Sequence, residues 1–510
     1  MLGREMRQRF EPQLTLGNTP FENVVIPRNS RDDLPPLLTG LQFIFKNVEL
    51  RTRVFDLLEA HIMGDKPTAT GRPGMELWHI LVLGVLRVGL DCDYDRIEHI
   101  ANFDLLVRRI LGVSPMAALT GAADPHTFHH RTISDNICVI DEALLQKINA
   151  LVVEYGLPVL KKNAAAKLEI KTDSFVLEAN IHYPTDANLL WDSSRKCIEI
   201  CFKLSENLEL PGWRKAGDWM RRCKGAMRSL SKAAGSGGAN KQERVNALAT
   251  AYLGVSGEVH QKVLDTISAL DWAILNPVQM IQFFQLKTYH DYAAKFMDQL
   301  HRRILLGEEI PHGEKVFSIF EPHVELIKKG KVRPPIEFGH RILVSTEKHG
   351  LIVDFKVIGP GHEGAEALPV AQRLVASFGA DSILSLSFDK GFSSPVNYGE
   401  LQNALPDSMI VLPKKGRRTA AETERESDPK WKQRRDQHSA VESDINSLEH
   451  HGLGRCRDKG ERGFRRYAGL GVLAYNLDKI GAAIQKAERE EAAKKAGKGK
   501  ASGWAVKRAA

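Results

Sequence analysis

The hydrophobic pattern of this chain changes period twice, and that restricts the fold more than any bulk property does. From about 36 to 165 apolar residues recur at helical spacing. Leu77, Ile80, Leu81, Val85 and Val88 form one stripe, and Ile97, Ile100, Leu105 and Leu106 a less regular second, with Asp95 as a candidate cap. At about 168 the pattern turns strand-like, in Leu168-Glu-Ile-Lys-Thr-Asp-Ser-Phe-Val-Leu-Glu-Ala-Asn-Ile181, with a bend expected near Asp173-Ser174. Helical, basic sequence returns from about 185 to 310, broken by the flexible composition of Ala233-Ala-Gly-Ser-Gly-Gly-Ala-Asn240. Strand-like sequence then resumes at 338–346 and 351–358, around the turn Glu347-Lys-His-Gly350. There follow a helix over 364–378, a strand over 382–388, a helix opened by Ser394-Pro395 and a short strand over 408–412. A polar stretch over 415–437 leads to helices at 438–451 and 464–485.

Two strand blocks separated by roughly 150 helical residues fit one α/β arrangement. A mixed sheet is begun, interrupted by a helical insertion over about 185–335, and completed afterwards, with the later strands beside the first. The expected organisation is an extended arm over 1–35, a helical domain over 36–165, an α/β domain over 166–485, and a basic tail over 486–510 read as disordered.

Charge and cysteine content narrow the partners only a little. Lys and Arg number 71 against 63 Asp and Glu, a net +8 with pI near 9.0, a mild excess that suits a polyanion only if it is clustered. Met1 to Phe10 is charged rather than apolar, and the run Ile80–Leu86 is too short to span a bilayer, so a cytoplasmic protein is expected. Of six cysteines only Cys197 and Cys201 are close, with no second pair or His nearby, which reads as free thiols. His126, His129 and His130 lack a matching carboxylate or Cys and read as a polar helix face. Asp91, Asp93 and Asp95 lack the Gly and the twelfth-position Glu of a calcium loop.

Three acids are candidates by position, which alone leaves them among dozens of acidic residues. Asp173 lies in the opening strand. Asp389 ends a strand in which Leu384, Leu386 and Phe388 face one way and Ser385, Ser387 and Asp389 the other, which aims it at the crevice outside a strand's carboxyl end. A turn or capping Asp fits that position equally well. Glu442 lies in His438-Ser-Ala-Val-Glu-Ser-Asp-Ile-Asn-Ser-Leu-Glu-His450, where Val441, Ile445 and Leu448 form a buried stripe and Glu442, Asn446 and Glu449 an adjacent face. Alone, that face reads as solvated. Carboxylates converging from separate elements are what two-metal phosphodiester hydrolysis needs.

The segments around these acids resemble a known family. Asp173-Ser-Phe-Val-Leu-Glu-Ala-Asn-Ile-His-Tyr-Pro-Thr-Asp186 resembles the first catalytic block of DDE transposases from bacterial insertion sequences, and Ser387-Phe-Asp-Lys-Gly-Phe-Ser-Ser-Pro395 the second. The 438–453 segment with Arg455-Cys-Arg-Asp458 resembles the third. The group termed ISNCY is the most similar, and the agreement in order runs from about 35 to 485. The resemblance implies a ribonuclease-H-like mixed sheet flanked by helices. It implies Asp173, Asp389 and Glu442 as catalytic ligands of two Mg²⁺ (or Mn²⁺) ions that cut DNA and join 3′ ends to a target. Related groups carry Tyr, Arg, Glu and Lys around the third acid where this chain has Arg435, His438, Glu442 and Glu449, so Glu449 is an alternative third acid. Asp354 is a weaker rival, read as a sheet-edge charge.

The implied partner is double-stranded DNA, as terminal repeats and target, bound by a homodimer in the nucleoid, with the 36–165 helices in repeat recognition or dimer contacts. The alternatives are a non-catalytic DNA-binding protein derived from a transposase and a nuclease that does not join. Phosphate contacts are expected from Lys390, from Lys414, Lys415, Arg417 and Arg418, from Arg434 and Arg435, and from Arg455, Arg457 and Lys459. In Trp213-Arg-Lys-Ala-Gly-Asp-Trp-Met-Arg-Arg-Cys-Lys224, Arg221 and Arg222 stand among tryptophans. That pattern reads either as stacking on an unpaired base or as an amphipathic helix with core tryptophans.

Overall fold

The computed structural model describes residues 7–10, 20–64, 74–113, 127–161, 166–270, 275–328, 336–414 and 416–507, with side chains as far as 495. His126 and Lys415 lie outside the described residues. The chain divides into two compact units, 1–180 with 339–510, and 181–338.

The larger unit opens with helices α1 (Leu34–Lys46), α2 (Val48–Met63), α3 (Leu77–Gly89), α4 (Tyr94–Phe103), α5 (Leu105–Ile110), α6 (His130–Ile137) and α7 (Glu142–Leu160). Asn47, Asp104 and Asp141 each cap a helix by accepting a backbone N–H. Asp93, not Asp95, caps α4 through the Arg96 N–H. All of α3 is buried rather than one stripe of it, so its apolar residues face neighbours on every side.

Strand β1 (Leu168–Ala179) follows and runs unbroken through Asp173-Ser174, where a bend was expected. Antiparallel pairing holds it straight along nine consecutive residues, Ile170 to Glu178.

The smaller unit contains α8 (Asp186–Leu208), α9 (Ala216–Gly235), α10 (Lys241–Ala269), α11 (Pro277–Leu300) and β2 (Glu325–Lys328). Leu190, Leu230, Tyr252 and Phe296 centre one of its apolar clusters. Ile198, Leu204, Trp213 and Leu286 centre another. Thr185 caps α8, and Asn276 with Gln279 forms a capping box on α11.

β3 (Ile336–Glu347) crosses back into the larger unit and turns through Gly350, at φ 84°, into β4 (Ile352–Ile358). After these come α12 (Ala367–Phe378), β5 (Ile383–Phe388), α13 (Pro395–Ala404) and β6 (Met409–Val411). Then follow α14 (Ala420–Ser427), α15 (Pro429–His438), α16 (Ala440–Leu448), β7 (Arg455–Cys456) and α17 (Gly460–Lys507). The result is a seven-stranded mixed sheet of order β2-β3-β1-β5-β6, with β4 also on β3 and β7 also on β1. β3 is antiparallel to β1 and β4, while β5, β6 and β7 continue the sheet in parallel.

Two expectations are corrected. The stretch over 415–437 holds α14 and α15, each with a start signal in its sequence. Thr419 and Glu422 form a capping box, and Asp428 precedes Pro429 at the first turn. The tail from 486 is not irregular: α17 continues to Lys507, as its Ala, Glu and Lys content favours.

The 36–165 helices do not form a compact unit of their own. α1, α3 and α7 pack on α17, and α7 also packs on β4. α7 is long and apolar enough to cross a membrane, yet its Gln146 and Asn149 side chains donate to the β4 carbonyls of Phe355 and Ile352. Asn476 of α17 joins the same group, accepting from Ile352 N–H and donating to Asn149 Oδ1 at 2.8 Å. Glycine permits the closest approach of α1 to α17: a Cβ on Gly40 would fall on the Leu477 carbonyl oxygen, and one on Gly481 on that of Pro36. Gly40→Ala is therefore expected to destabilise this unit by about 1–3 kcal/mol, read as an earlier midpoint in urea. Gly399→Ala, on an open face of α13, is expected to stabilise by roughly 0.5–1 kcal/mol.

Candidate functional site

β1 and β5 run parallel with Thr172 opposite Phe388. The next residue of each, Asp173 and Asp389, therefore stand side by side at the same end of the pair. Strand alternation puts Glu169, Lys171 and Asp173 in one row and Ser385, Ser387 and Asp389 in the neighbouring row, with Glu169 beside Ser385 and Lys171 beside Ser387. The other parity is apolar at Ile170, Leu386 and Phe388. One face of the two central strands is thus polar, and α15 and α16 lie against it. His438 Nδ1 meets Ser387 Oγ at 2.9 Å, and Lys171 Nζ lies 3.9 Å from Asp444.

The electrostatics tie the three acids together. Burial pushes the half-buried Asp173 carboxyl up to about 6, opposed by the Ser174 N–H at 2.7 Å from Oδ1 and aided by the charges of Asp389, Glu363 and Glu442. Burial lowers His438, while Asp389 and Glu442 pull it upward and Lys171 pushes it down. Glu442 is the acid of α16 that both Asp173 and His438 sense. Glu449, the alternative, begins the π turn after α16. Asp354 is held bidentate by Arg373 at 2.7 and 2.9 Å, a structural ion pair on β4.

Two acids were not singled out from the sequence. Glu363, in a 3-10 turn before α12, accepts from Ser174 Oγ at 2.9 Å and pairs with Arg341 at 2.9 Å. A Cβ on Gly391 would stand 3.8 Å from Glu363 Oε2 and 3.9 Å from Asp389 Oδ2, so both carboxylates border the same space. Nothing in the spacing around Glu363 marks it, because the turn that carries it has no periodicity. Asp444 replaces Ile445 in the buried stripe of α16, held by Lys171, by Lys479 at 3.8 Å and by the Tyr475 hydroxyl at 3.3 Å. The signal was available: Asp444 is spaced three from Val441 and four from Leu448.

These acids are electrostatic neighbours, and among the described residues no three His, Cys, Asp or Glu side chains are grouped closely enough to hold a metal ion. Their chemistry nonetheless fits one. The donors are carboxylates, the hard oxygens that Mg²⁺ and Mn²⁺ prefer, and Asp173, raised chiefly by burial, is raised further by the charges of Asp389, Glu363 and Glu442, a lesser contribution that a cation would offset.

The expected phosphate-binding residues fall into two groups. Most are engaged: Lys414 with Glu422 (2.8 Å), Arg418 with Glu426 (2.6 Å), Arg435 with Asp436 (2.7 Å), Arg455 with Glu178 (3.4 Å) and Arg457 with Asp91 (2.7 Å). Arg434 pairs with Glu169, and in the smaller unit Arg221 pairs with Asp218 and Arg222 with Glu258. Lys390, Arg417 and Lys459 are exposed and make no ion pair among the described residues. Trp213 is a core residue, its indole N–H donating to Thr266 Oγ1 at 2.9 Å, and Trp219 is half-buried against the same cluster. The base-stacking reading is thereby corrected for Trp213, since no face of it is open. His130 pairs with Glu98, and the six cysteines are free.

No family model, curated protein or solved structure matches the chain.

The raised Asp173 fixes the sign of a pH effect. The folded chain takes up this proton more readily than the unfolded one, so stability falls as pH rises from about 4 through 6 and stays lowered above. Asp173→Asn is expected to exceed the parent in stability at pH 8 by on the order of 2 kcal/mol, discounted for partial exposure, and to match it near pH 3. Denaturant titrations at the two pH values check this. Added Mg²⁺ is expected to raise the melting temperature of the parent and not of the variant.

Proposed function

We propose that the chain is a DDE-type DNA transposase of the insertion-sequence kind, using Asp173, Asp389 and Glu442 on a ribonuclease-H-like sheet. The observation that carries the reading is the parallel register that sets Asp173 beside Asp389 at adjacent strand ends, with the Glu442 charge felt there from α16. The strand order supports it too: an antiparallel hairpin lies on one side of the first strand and two parallel strands on the other.

In this reading Asp173, Asp389 and Glu442 would hold two divalent ions, which supply Lewis-acid stabilisation of the attacking and leaving oxygens of a phosphodiester. The chain's own residues do the rest. Lys390 adjoins the second acid and is placed to approach the phosphate, and Arg417 and Lys459 offer unpaired charge to a DNA backbone. Ser174 and Ser387 position two members of the site, the first through the Asp173 carboxylate and the second through the His438 ring. DNA as partner, action as a homodimer and association with the nucleoid belong to the same proposal.

A plasmid carrying the repeats that flank the gene tests it. The parent is expected to nick that DNA with Mg²⁺ and not in EDTA. Asp389→Asn is expected to shift the same DNA in a gel with affinity within about threefold, while cleavage falls by roughly a thousandfold. Undiminished cleavage by the variant refutes the assignment. The non-catalytic alternative draws on the absence of grouped ligands among the described residues. It requires that the parent bind and never cut.

A further inference from the structure

Behind the acids, on the same polar face, the larger unit has a cavity of about 350 Å³, a size typical of small-ligand sites. Its floor is the upstream part of the two central rows, Glu169 and Lys171 on β1 and Ser385 and Ser387 on β5, and its roof comes from α15 and α16 through Arg434 and Ser443. Lys348, from the β3–β4 turn, closes one side.

The lining sets three cations, Lys171, Lys348 and Arg434, against one carboxylate, Glu169. That carboxylate is shared, pairing with Arg434 and lying 3.4 Å from the Lys348 ammonium. Lys171 is buried, and its nearest acid, Asp444, stands at 3.9 Å, beyond a hydrogen bond. Arg434 also donates to Gln437 Oε1 at 3.0 Å; an ammonium has three donors and a guanidinium five, more than these partners occupy. The hydroxyls of Ser385 and Ser443 add neutral donors to the same space. Several convergent donors with excess positive charge suit a tetrahedral oxyanion, whose oxygens each accept more than one hydrogen bond.

We propose that this cavity is a phosphate-ester subsite, taking the phosphate of one nucleotide unit between Lys171, Lys348 and Arg434. Lys171 precedes Asp173 by two residues, about 6.6 Å along the strand. A nucleotide seated there therefore lies one step from the acid pair. That last placement rests on the proposed function, whereas the binding itself does not.

Calorimetric titration of the full chain in EDTA tests the binding apart from any cleavage. The titrants are deoxyadenosine 5′-monophosphate, inorganic phosphate, deoxyadenosine and a 5′-phosphorylated single-stranded oligonucleotide. The monophosphate is expected to bind saturably and inorganic phosphate more weakly, with no uptake of deoxyadenosine. Lys348→Gln and Arg434→Gln are each expected to weaken binding about tenfold. Ser443→Phe, which fills the cavity from the exposed side of α16, is expected to abolish it, and Lys241→Gln in the smaller unit to leave it unchanged. If the oligonucleotide displaces the monophosphate the ligand is a DNA end, and if it does not the ligand is a free nucleotide; either supports a phosphate-ester subsite. Three results overturn it: no saturable uptake by the parent, deoxyadenosine binding as tightly as its monophosphate, or unchanged binding in a folded Ser443→Phe protein. Because metal and cleavage are absent, none of these bears on the three acids. Loss of cutting in Asp389→Asn likewise says nothing of the cavity.

Discussion

The parallel register of β1 with β5 is the constraint on which the site depends. Setting Thr172 against Phe388 places one acid beside another and, because side chains alternate, lines up two polar rows behind them. A slip of one residue would send Lys171 and Asp173 to the face that now packs Ile170, and would separate Asp173 from Asp389. The register is favoured from the opposite face, where Ile170, Leu386 and Phe388 are buried, while the Thr172–Ser345 bond at 2.8 Å fixes β1 against β3. Packing on one side of the sheet thus fixes the chemistry available on the other.

A second layer of order lies in the charges that are already spent. Asp458, in the segment singled out for its basic residues, is not a surface charge: its side chain is covered, held between Arg87 of α3 at 2.7 Å and Arg466 of α17 at 2.9 Å. The Arg87 guanidinium also lies 3.8 Å over the Tyr94 ring. Breaking such a cluster by removing one partner leaves an uncompensated buried charge, so the group specifies how the chain leaves β7 and enters α17. Engaged cations of this kind explain why a count of Lys and Arg near the acids overstates what is open to a polyanion.

Much of the fold was legible where pattern and period coincide. The alternation of Ser385, Ser387 and Asp389, the cap at Ser394-Pro395 and the hairpin about Gly350 are local signals, and each element lies within a few residues of its expected place. What escaped depends on partners distant in sequence. α3 reads as one stripe because sequence shows only its own period, whereas the surrounding helices bury all of it. Trp213 sits among arginines in sequence and among Ile198, Leu204 and Leu286 in space. Glu363 reaches the site through a turn without period, and Asp444 is tolerated in a buried stripe only because Lys171, Lys479 and Tyr475 meet it there.

The interruption of the sheet by an independent unit also sets an order of events at the ribosome. The Thr172–Ser345 bond spans 173 residues. At ordinary elongation speeds about 10–35 s pass between the emergence of β1 and of its antiparallel neighbour. During that interval the nascent first strand carries two unsatisfied edges, the state most open to pairing with another chain. The 181–338 segment, a compact unit whose helices pack on one another, has been synthesised before the strand's partners exist. Its early compaction shortens the gap the remaining chain must close, which ties the solubility of the newborn protein to a region remote from the acids.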